Sequence, residues 1–161
     1  MANKSPEYMF ATDVIRYVLV EYWTGLNWMP SGIFVHQYHG SPFSPAVQRI
    51  IKETLDSNGA MLHEKYDQRF PVKNIFSHHH YEFCQELIQN EVENEDVRVI
   101  FLSMCAVLTF VTALSVLYGI KEAPDICHRA ILGHFLKLRN RGSITDTFWE
   151  EMQVMCVQWQ Q

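Results

Sequence analysis

Basic residues are scarce in this sequence. Lys and Arg together number 13, against 18 Asp and Glu, and the formal net charge is -5. Proteins that bind nucleic acid neutralise phosphate groups with clustered Lys and Arg side chains. The chain has no such basic cluster, so its charge balance argues against nucleic acid as a partner.

Cysteine is also scarce, and the spacing of the cysteines matches neither a zinc site nor a compact disulfide framework. The four lie far apart in sequence and inside apolar patterns. We therefore expect buried, reduced thiols, with no bound metal and no cofactor. These residues are Cys84, Cys105, Cys127 and Cys156.

Motifs of the common enzyme classes are missing: there is no glycine-rich phosphate loop, no HExxH motif and no nucleophile elbow. Three adjacent histidines, His78, His79 and His80, suggest a metal site at first. Consecutive helical residues point about 100° apart, so these side chains cannot converge on one ion, and a solvated helix start explains them better. We expect no enzymatic activity. Three isolated histidines are expected to be exposed or hydrogen-bonded: His63, His128 and His134.

Long apolar stretches are missing except for one, residues 97–118, in which Arg98 is the only charge. A helix of this length spans about 33 Å, roughly the diameter of a small domain. The competing interpretation is a transmembrane span, because about 20 apolar residues are enough to cross a bilayer. The amphipathic segments on both sides need an apolar surface to cover, which favours a buried central helix. Insertion into a membrane under special conditions stays open.

Two helices are predicted in the N-terminal part of the chain. Ser5-Pro6 and Ser44-Pro45 each combine a capping hydroxyl with a proline at the first helical position. The first helix is expected to end near Trp23, and the second at Phe70-Pro71, with a loop over residues 27–44 between them. Their core-facing stripes are predicted to comprise Ile15, Val18, Leu19 and Tyr22, then Val47, Ile51, Leu55, Leu62 and Tyr66.

Three more helices are predicted around residues 97–118. Ser77 is expected to cap one, Ala123-Pro124 to start another, and Thr147 to open the last with a capping box to Glu150. No alternating strand pattern and no repeat occurs. The sequence thus predicts one all-α domain, residues 1–161, built as a helical bundle around a hydrophobic helix. The stripe of the helix after Ser77 is predicted to comprise Tyr81, Cys84, Leu87 and Ile88.

Several segments resemble the homology regions of the Bcl-2 family of apoptosis regulators. Residues 14–28, VIRYVLVEYWTGLNW, look like the N-terminal region with its closing aromatic residue. Residues 55–62, LDSNGAML, followed by residues 64–70, EKYDQRF, are similar to the internal BH3 segment, although Ala60 stands where an aspartate is usual. Residues 142–159 look like the closing region. Loss of the aspartate fits a pro-survival member, because a pro-death member must donate that segment to a partner.

The turn Glu95-Asp96-Val97-Arg98 stands where the family usually has Asn-Trp-Gly-Arg, and only the arginine is retained. The resemblance therefore implies that Arg98 pairs with the aspartate of an incoming BH3 helix, which is a charge-assisted contact. The alternative is that Arg98 merely pairs with Glu93, Glu95 and Asp96 across the start of its own helix.

The resemblance also implies the architecture: amphipathic helices surround one hydrophobic helix and form a surface groove for a BH3 helix. Val97 and Phe101 stand where glycine and a small residue are usual, which predicts a narrow choice of ligands. The groove residues that the resemblance implies are Leu62, Tyr66, Phe70, Cys84, Ile88 and Arg98.

A pro-survival activity follows from this resemblance. The chain is expected to inhibit apoptosis by sequestering the BH3 helices of Bim-like BH3-only proteins, with Bak or Bax as further candidates. A homodimer is compatible with the pattern. The second hypothesis is a membrane-active effector in which the central helix and its successor insert into a bilayer. Ala60 and the acidic net charge favour the first hypothesis, since a polybasic surface would aid membrane docking.

Poor motif retention and small size resemble the virus-encoded members of the family. A large DNA virus of animals is therefore the expected source. The N-terminus has no secretory signal pattern, and the sequence ends at Gln161 without a hydrophobic tail. We accordingly expect no constitutive transmembrane anchor and a location in the host cell cytoplasm, with peripheral association at mitochondria.

Overall fold

The computed structural model describes residues 4–91 and 96–159, and every regular element within these ranges is helical. The all-α prediction is therefore confirmed. A π-helical turn, Tyr17–Tyr22, extends the first helix, and a 3-10 turn, Gly32–Val35, interrupts the loop that follows. The α-helices are α1 (Pro6–Arg16), α2 (Pro45–Arg69), α3 (Ser77–Gln89), α4 (Val97–Leu117), α5 (Ala123–Asn140) and α6 (Phe148–Trp159).

Helix α4 is the central helix that its apolar composition predicts. Helices α2 and α5 make the most extensive contacts with it, and α1, α3 and α6 also pack against it. By length and composition, α4 is the one helix within the described ranges that is able to span a membrane, and 72% of its most apolar window is buried by the rest of the chain. The apolar stripes of the neighbouring helices thus pack against the common surface of α4.

The capped starts of α1 and α2 are confirmed. The Ser5 hydroxyl accepts the Tyr8 backbone N–H at 3.3 Å, and the Ser44 hydroxyl accepts the Val47 N–H at 3.3 Å. Each cap satisfies a backbone donor that a helix leaves without an intrahelical partner. Helix α2 then runs without a break to its C-cap at Phe70.

At the starts of α3 and α6, the hydrogen bonds in the structure differ from the predicted caps. Ser77 is the first residue of α3 rather than its cap, and its hydroxyl donates to Glu122 at 2.7 Å. The prediction for Ser77 is therefore wrong, because the carboxylate at the start of α5 takes the hydroxyl. In α6, the Thr147 hydroxyl donates to the Glu151 carboxylate at 2.5 Å, whereas in the predicted capping box it would accept the Glu150 backbone N–H.

The predicted apolar stripes of α1 and α2 are buried, with Tyr22 at the edge and partly exposed. In α3, Cys84, Leu87 and Ile88 are buried as predicted, but the prediction for Tyr81 is wrong because that side chain is 53% exposed. His80 is fully buried in its place. Residues 80, 84, 87 and 88 share one helical face. One of the four buried positions on this face is therefore occupied by a polar residue, His80, which an apolar pattern does not predict.

Phe101 anchors an aromatic cluster between α4, α1, α5 and α6. Its ring centroid lies 5.4 Å from Phe10, 5.5 Å from Phe135, 5.9 Å from Phe148 and 5.8 Å from Trp149. The side chain is 0% exposed. It therefore belongs to the core and takes no space from the groove described below.

All four cysteines are free and buried, as predicted. Burial raises the pKa of Cys84 and Cys105 well above that of an exposed thiol, the pKa of Cys127 to about 12, and the pKa of Cys156 to about 11. Within the described ranges, no three His, Cys, Asp or Glu side chains are grouped to hold a metal ion.

Candidate helix-binding groove

An apolar groove of about 390 Å³ lies between α2, α3 and α4. Helix α2 supplies one wall, the C-terminal end of α3 supplies the other, and α4 forms the floor. The wall residues are Met61, Leu62 and Lys65 on α2, with Leu87, Asn90 and Glu91 at the end of α3. The floor residues are Val99, Ile100, Ser103, Met104 and Val107.

The floor is a face of α4 that the neighbouring helices leave partly uncovered. Ser103 is exposed, and Val99, Ile100 and Val107 are partly exposed, whereas the residues between them are buried. On the α2 wall, the Met61 side chain is 56% exposed. Exposed apolar side chains that form a continuous concave surface mark a site of association with another apolar surface.

Of the six residues that the resemblance implies for the groove, Leu62 lines it. Its side chain is 4% exposed, so it packs into the core and forms part of the α2 wall at the same time. The role of these six residues in binding stays a prediction. The structure does show that the other five lie elsewhere.

Tyr66, Phe70, Cys84 and Ile88 are core residues. Tyr66 and Phe70 pack with Phe83 in an aromatic cluster whose ring centroids are 5.2 to 5.9 Å apart. Cys84 is 0% exposed and Ile88 is 6% exposed. None of these four side chains is among the residues that line the groove.

Arg98 lies on a different surface. Arg98 and Val107 are nine residues apart, which at 100° per residue places them about 180° apart around α4. The guanidinium donates to both carboxylate oxygens of Asp96, at 2.9 and 2.7 Å, and its Nη1 lies 3.4 Å from the backbone oxygen of Glu151. Hydrogen bonding from Arg98 lowers the pKa of Asp96.

This geometry agrees with the alternative that Arg98 pairs with acids at the start of its own helix. Asp96 also caps α4 by accepting the Arg98 backbone N–H at 3.0 Å. The other two acids of that alternative, Glu93 and Glu95, lie outside the described residues. Arg98 instead borders a second cavity, of about 310 Å³, next to Phe148 and Glu151.

His80 belongs to a hydrogen-bond network that links α2, α3 and α4 in the core. Its Nδ1 lies 2.8 Å from the Ser115 hydroxyl, which lies 3.0 Å from the Tyr66 hydroxyl. Its Nε2 lies 3.3 Å from the Thr112 hydroxyl and 3.5 Å from the Cys84 sulfur. The prediction of a solvated histidine is wrong for His80, because these partners replace water on both ring nitrogens. Burial lowers the pKa of His80 to about 4.

This pKa predicts that stability depends on pH. Between pH 4 and 6.5 an unfolded histidine binds a proton that folded His80 does not, so stability falls as the pH falls through this range and is fully present above it. Burial also lowers the pKa of His134 and His128, which act in the same direction. We expect His80→Gln to reduce the slope of unfolding free energy against pH by up to about 1.4 kcal/mol per pH unit.

Urea unfolding between pH 4.5 and 7 measures this slope. The exposed His78 provides the matched control, and His78→Gln should leave the slope unchanged. Equal slopes in wild type and His80→Gln would mean that His80 is protonated in the folded chain.

The isolated histidines differ from one another. His63 is partly exposed, and His128, although buried, has the Thr12 hydroxyl 3.0 Å from Nε2, so both match expectation. His134 does not. It is 1% exposed, and neither of its ring nitrogens has a hydrogen-bond partner within the described residues, although Nδ1 lies 3.4 Å from Glu91 Oε2. Arg141 donates to the other oxygen of Glu91 at 2.7 Å.

Comparisons of the chain with protein-family models, curated proteins and solved structures found no match. The resemblance to the Bcl-2 family therefore rests on the sequence segments quoted above, and the site rests on the geometry of the groove.

Proposed function

We propose that this chain inhibits apoptosis by binding the BH3 helices of pro-apoptotic proteins in the groove between α2, α3 and α4. The observation that carries the proposal is the partly uncovered, mainly apolar face of α4 between two helical walls. An amphipathic helix offers apolar side chains at positions i, i+3, i+4 and i+7 to a groove of this kind.

The length of the floor sets the number of anchors. From Val99 to Val107, α4 rises about 12 Å, which is roughly two helical turns. A bound helix of the same length presents two or three apolar side chains on one face. Met61 and Leu62 on one wall and Leu87 on the other confine those side chains.

The position of the chain's own BH3-like segment supports the role of receptor rather than donor. Leu55 and Leu62 of that segment are 1% and 4% exposed in the middle of α2. Exposing each leucine costs about 1.5 to 3 kcal/mol, and the break in α2 adds to this. Donating the segment to a partner would therefore use much of the roughly 5 to 15 kcal/mol by which a domain is stable.

Titration with a panel of fluorescent BH3 peptides tests this function. Fluorescence anisotropy should show saturable binding of at least one peptide, and a scrambled peptide of the same composition should not bind. Dye release from vesicles with anionic lipid provides the parallel measurement. Release without peptide binding would support the membrane-active effector and contradict the proposal.

A further inference from the structure

Lys65 is the one cationic side chain among the residues that line the groove, and it is exposed on the α2 wall. Its side chain lies one turn from Met61 on the same face, so it borders the apolar surface that a bound helix would cover. No ion pair or hydrogen bond engages its ammonium group within the described parts of the chain.

The neighbouring polar and charged groups on this half of α2 are engaged. Arg69 donates to both carboxylate oxygens of Glu86, at 3.0 and 2.8 Å. The other contacts are Glu64 with Gln68 at 3.2 Å and Asp67 with Lys73 at 3.0 Å. Lys65 thus differs from its neighbours in offering an uncommitted charge at the rim of the groove.

The opposite wall carries a carboxylate that is already paired with a cation. Glu91 lines the groove, but Arg141 donates to its carboxylate at 2.7 Å, and its side chain is 10% exposed. An incoming acidic side chain therefore finds an attractive charge along α2 and none along the end of α3. Arg98 offers little to that side chain, because it lies on the far side of α4 and is bound to Asp96.

We propose that Lys65 pairs with an acidic side chain that flanks the apolar stripe of the bound helix, and so fixes the orientation of that helix in the groove. The inference rests on the proposed function. It assigns the carboxylate of the ligand to α2, whereas the family resemblance implies Arg98 at the start of α4. A charge at the rim selects partners and orientation more than it adds affinity.

A mutant cycle on the best BH3 peptide tests the proposal. Lys65→Met keeps an unbranched apolar stem on the wall and removes the charge, and we expect about threefold to tenfold weaker binding. Replacing the peptide's aspartate by asparagine should weaken binding of the wild type by a similar factor and that of Lys65→Met by little more. Lys65→Glu should bind less tightly still, and a peptide with lysine at the aspartate position should recover part of the loss.

Two controls separate this pairing from other causes. Lys121→Glu makes the same charge change at an exposed lysine outside the groove, and it should leave binding within about twofold. Arg98→Ala should also have little effect on the affinity for the peptide. Binding by the wild type with coupling at Arg98 and none at Lys65 would overturn this inference and leave the proposed function standing. Absence of binding by the wild type to every peptide would overturn both.

Discussion

Phe101→Ala is expected to lower the free energy of unfolding by about 3 to 5 kcal/mol, a large part of the stability of a domain of this size. The ring is 0% exposed and lies within 6 Å, centroid to centroid, of Phe10, Phe135, Phe148 and Trp149. Truncation leaves a cavity between four helices, and their backbones can fill it only in part. Urea unfolding monitored by circular dichroism measures the loss.

Phe76→Ala provides the matched control, because the Phe76 ring is 58% exposed and contacts only His78 and His79 among the aromatic side chains described. The same substitution there should change stability by less than about 1 kcal/mol. If both variants unfolded at the urea concentration of the wild type, the packing of α4 against α1, α5 and α6 would be wrong.

Leu62→Ala is expected to weaken both the fold and the binding of a BH3 helix. The side chain is 4% exposed and forms part of the α2 wall, so it belongs to the core and to the groove. Truncation of a buried leucine costs about 2 to 5 kcal/mol of stability. Loss of its contacts with a ligand should also weaken binding of the peptide, measured by anisotropy at a temperature at which the variant is folded.

Met61→Ala separates the two effects. Met61 lines the same wall but is 56% exposed, so its truncation should weaken peptide binding and change stability by less than about 1 kcal/mol. Unchanged binding in both variants would mean that the helix binds elsewhere. Full stability of Leu62→Ala would contradict the placement of α2.

The helix boundaries are the part of the structure that local chemistry predicts best. A capping serine followed by proline starts α1 and α2, because the hydroxyl and the fixed backbone angle act within a few residues. The apolar stripes of α1 and α2 follow from periodicity alone. Tertiary partners decide the rest: the Ser77 hydroxyl binds Glu122, which is 45 residues away in sequence.

His80 shows why a buried polar residue escapes a search for apolar periodicity. Its partners Ser115 and Thr112 lie on α4, and no local pattern links these positions. The opposite error affects Arg98. The family motif predicts an arginine at this position, but which face of α4 borders the groove depends on how the neighbouring helices pack. The structure places the groove along Val107, on the face opposite Arg98.

The sequence predicts a groove beside the central helix, but it does not predict most of the residues that line it. In a helix that is apolar on every side, periodicity does not reveal which face stays uncovered. Ser103 is the one exposed polar residue in the middle of α4, whereas Thr109 and Thr112 are buried and donate to backbone oxygens one turn earlier. The sequence alone therefore does not distinguish an exposed Ser or Thr in this helix from a buried one.

Ser103→Arg tests most directly whether a BH3 helix binds in the groove between α2, α3 and α4. Ser103 is exposed on the groove floor, so an arginine there fills the groove without entering the core, and Gln158→Arg on the exposed surface of α6 is the matched control. We expect Ser103→Arg to unfold like the wild type and to bind the best BH3 peptide at least about tenfold more weakly, while Gln158→Arg binds normally. Binding of the peptide to folded Ser103→Arg with the affinity of the wild type would contradict this account.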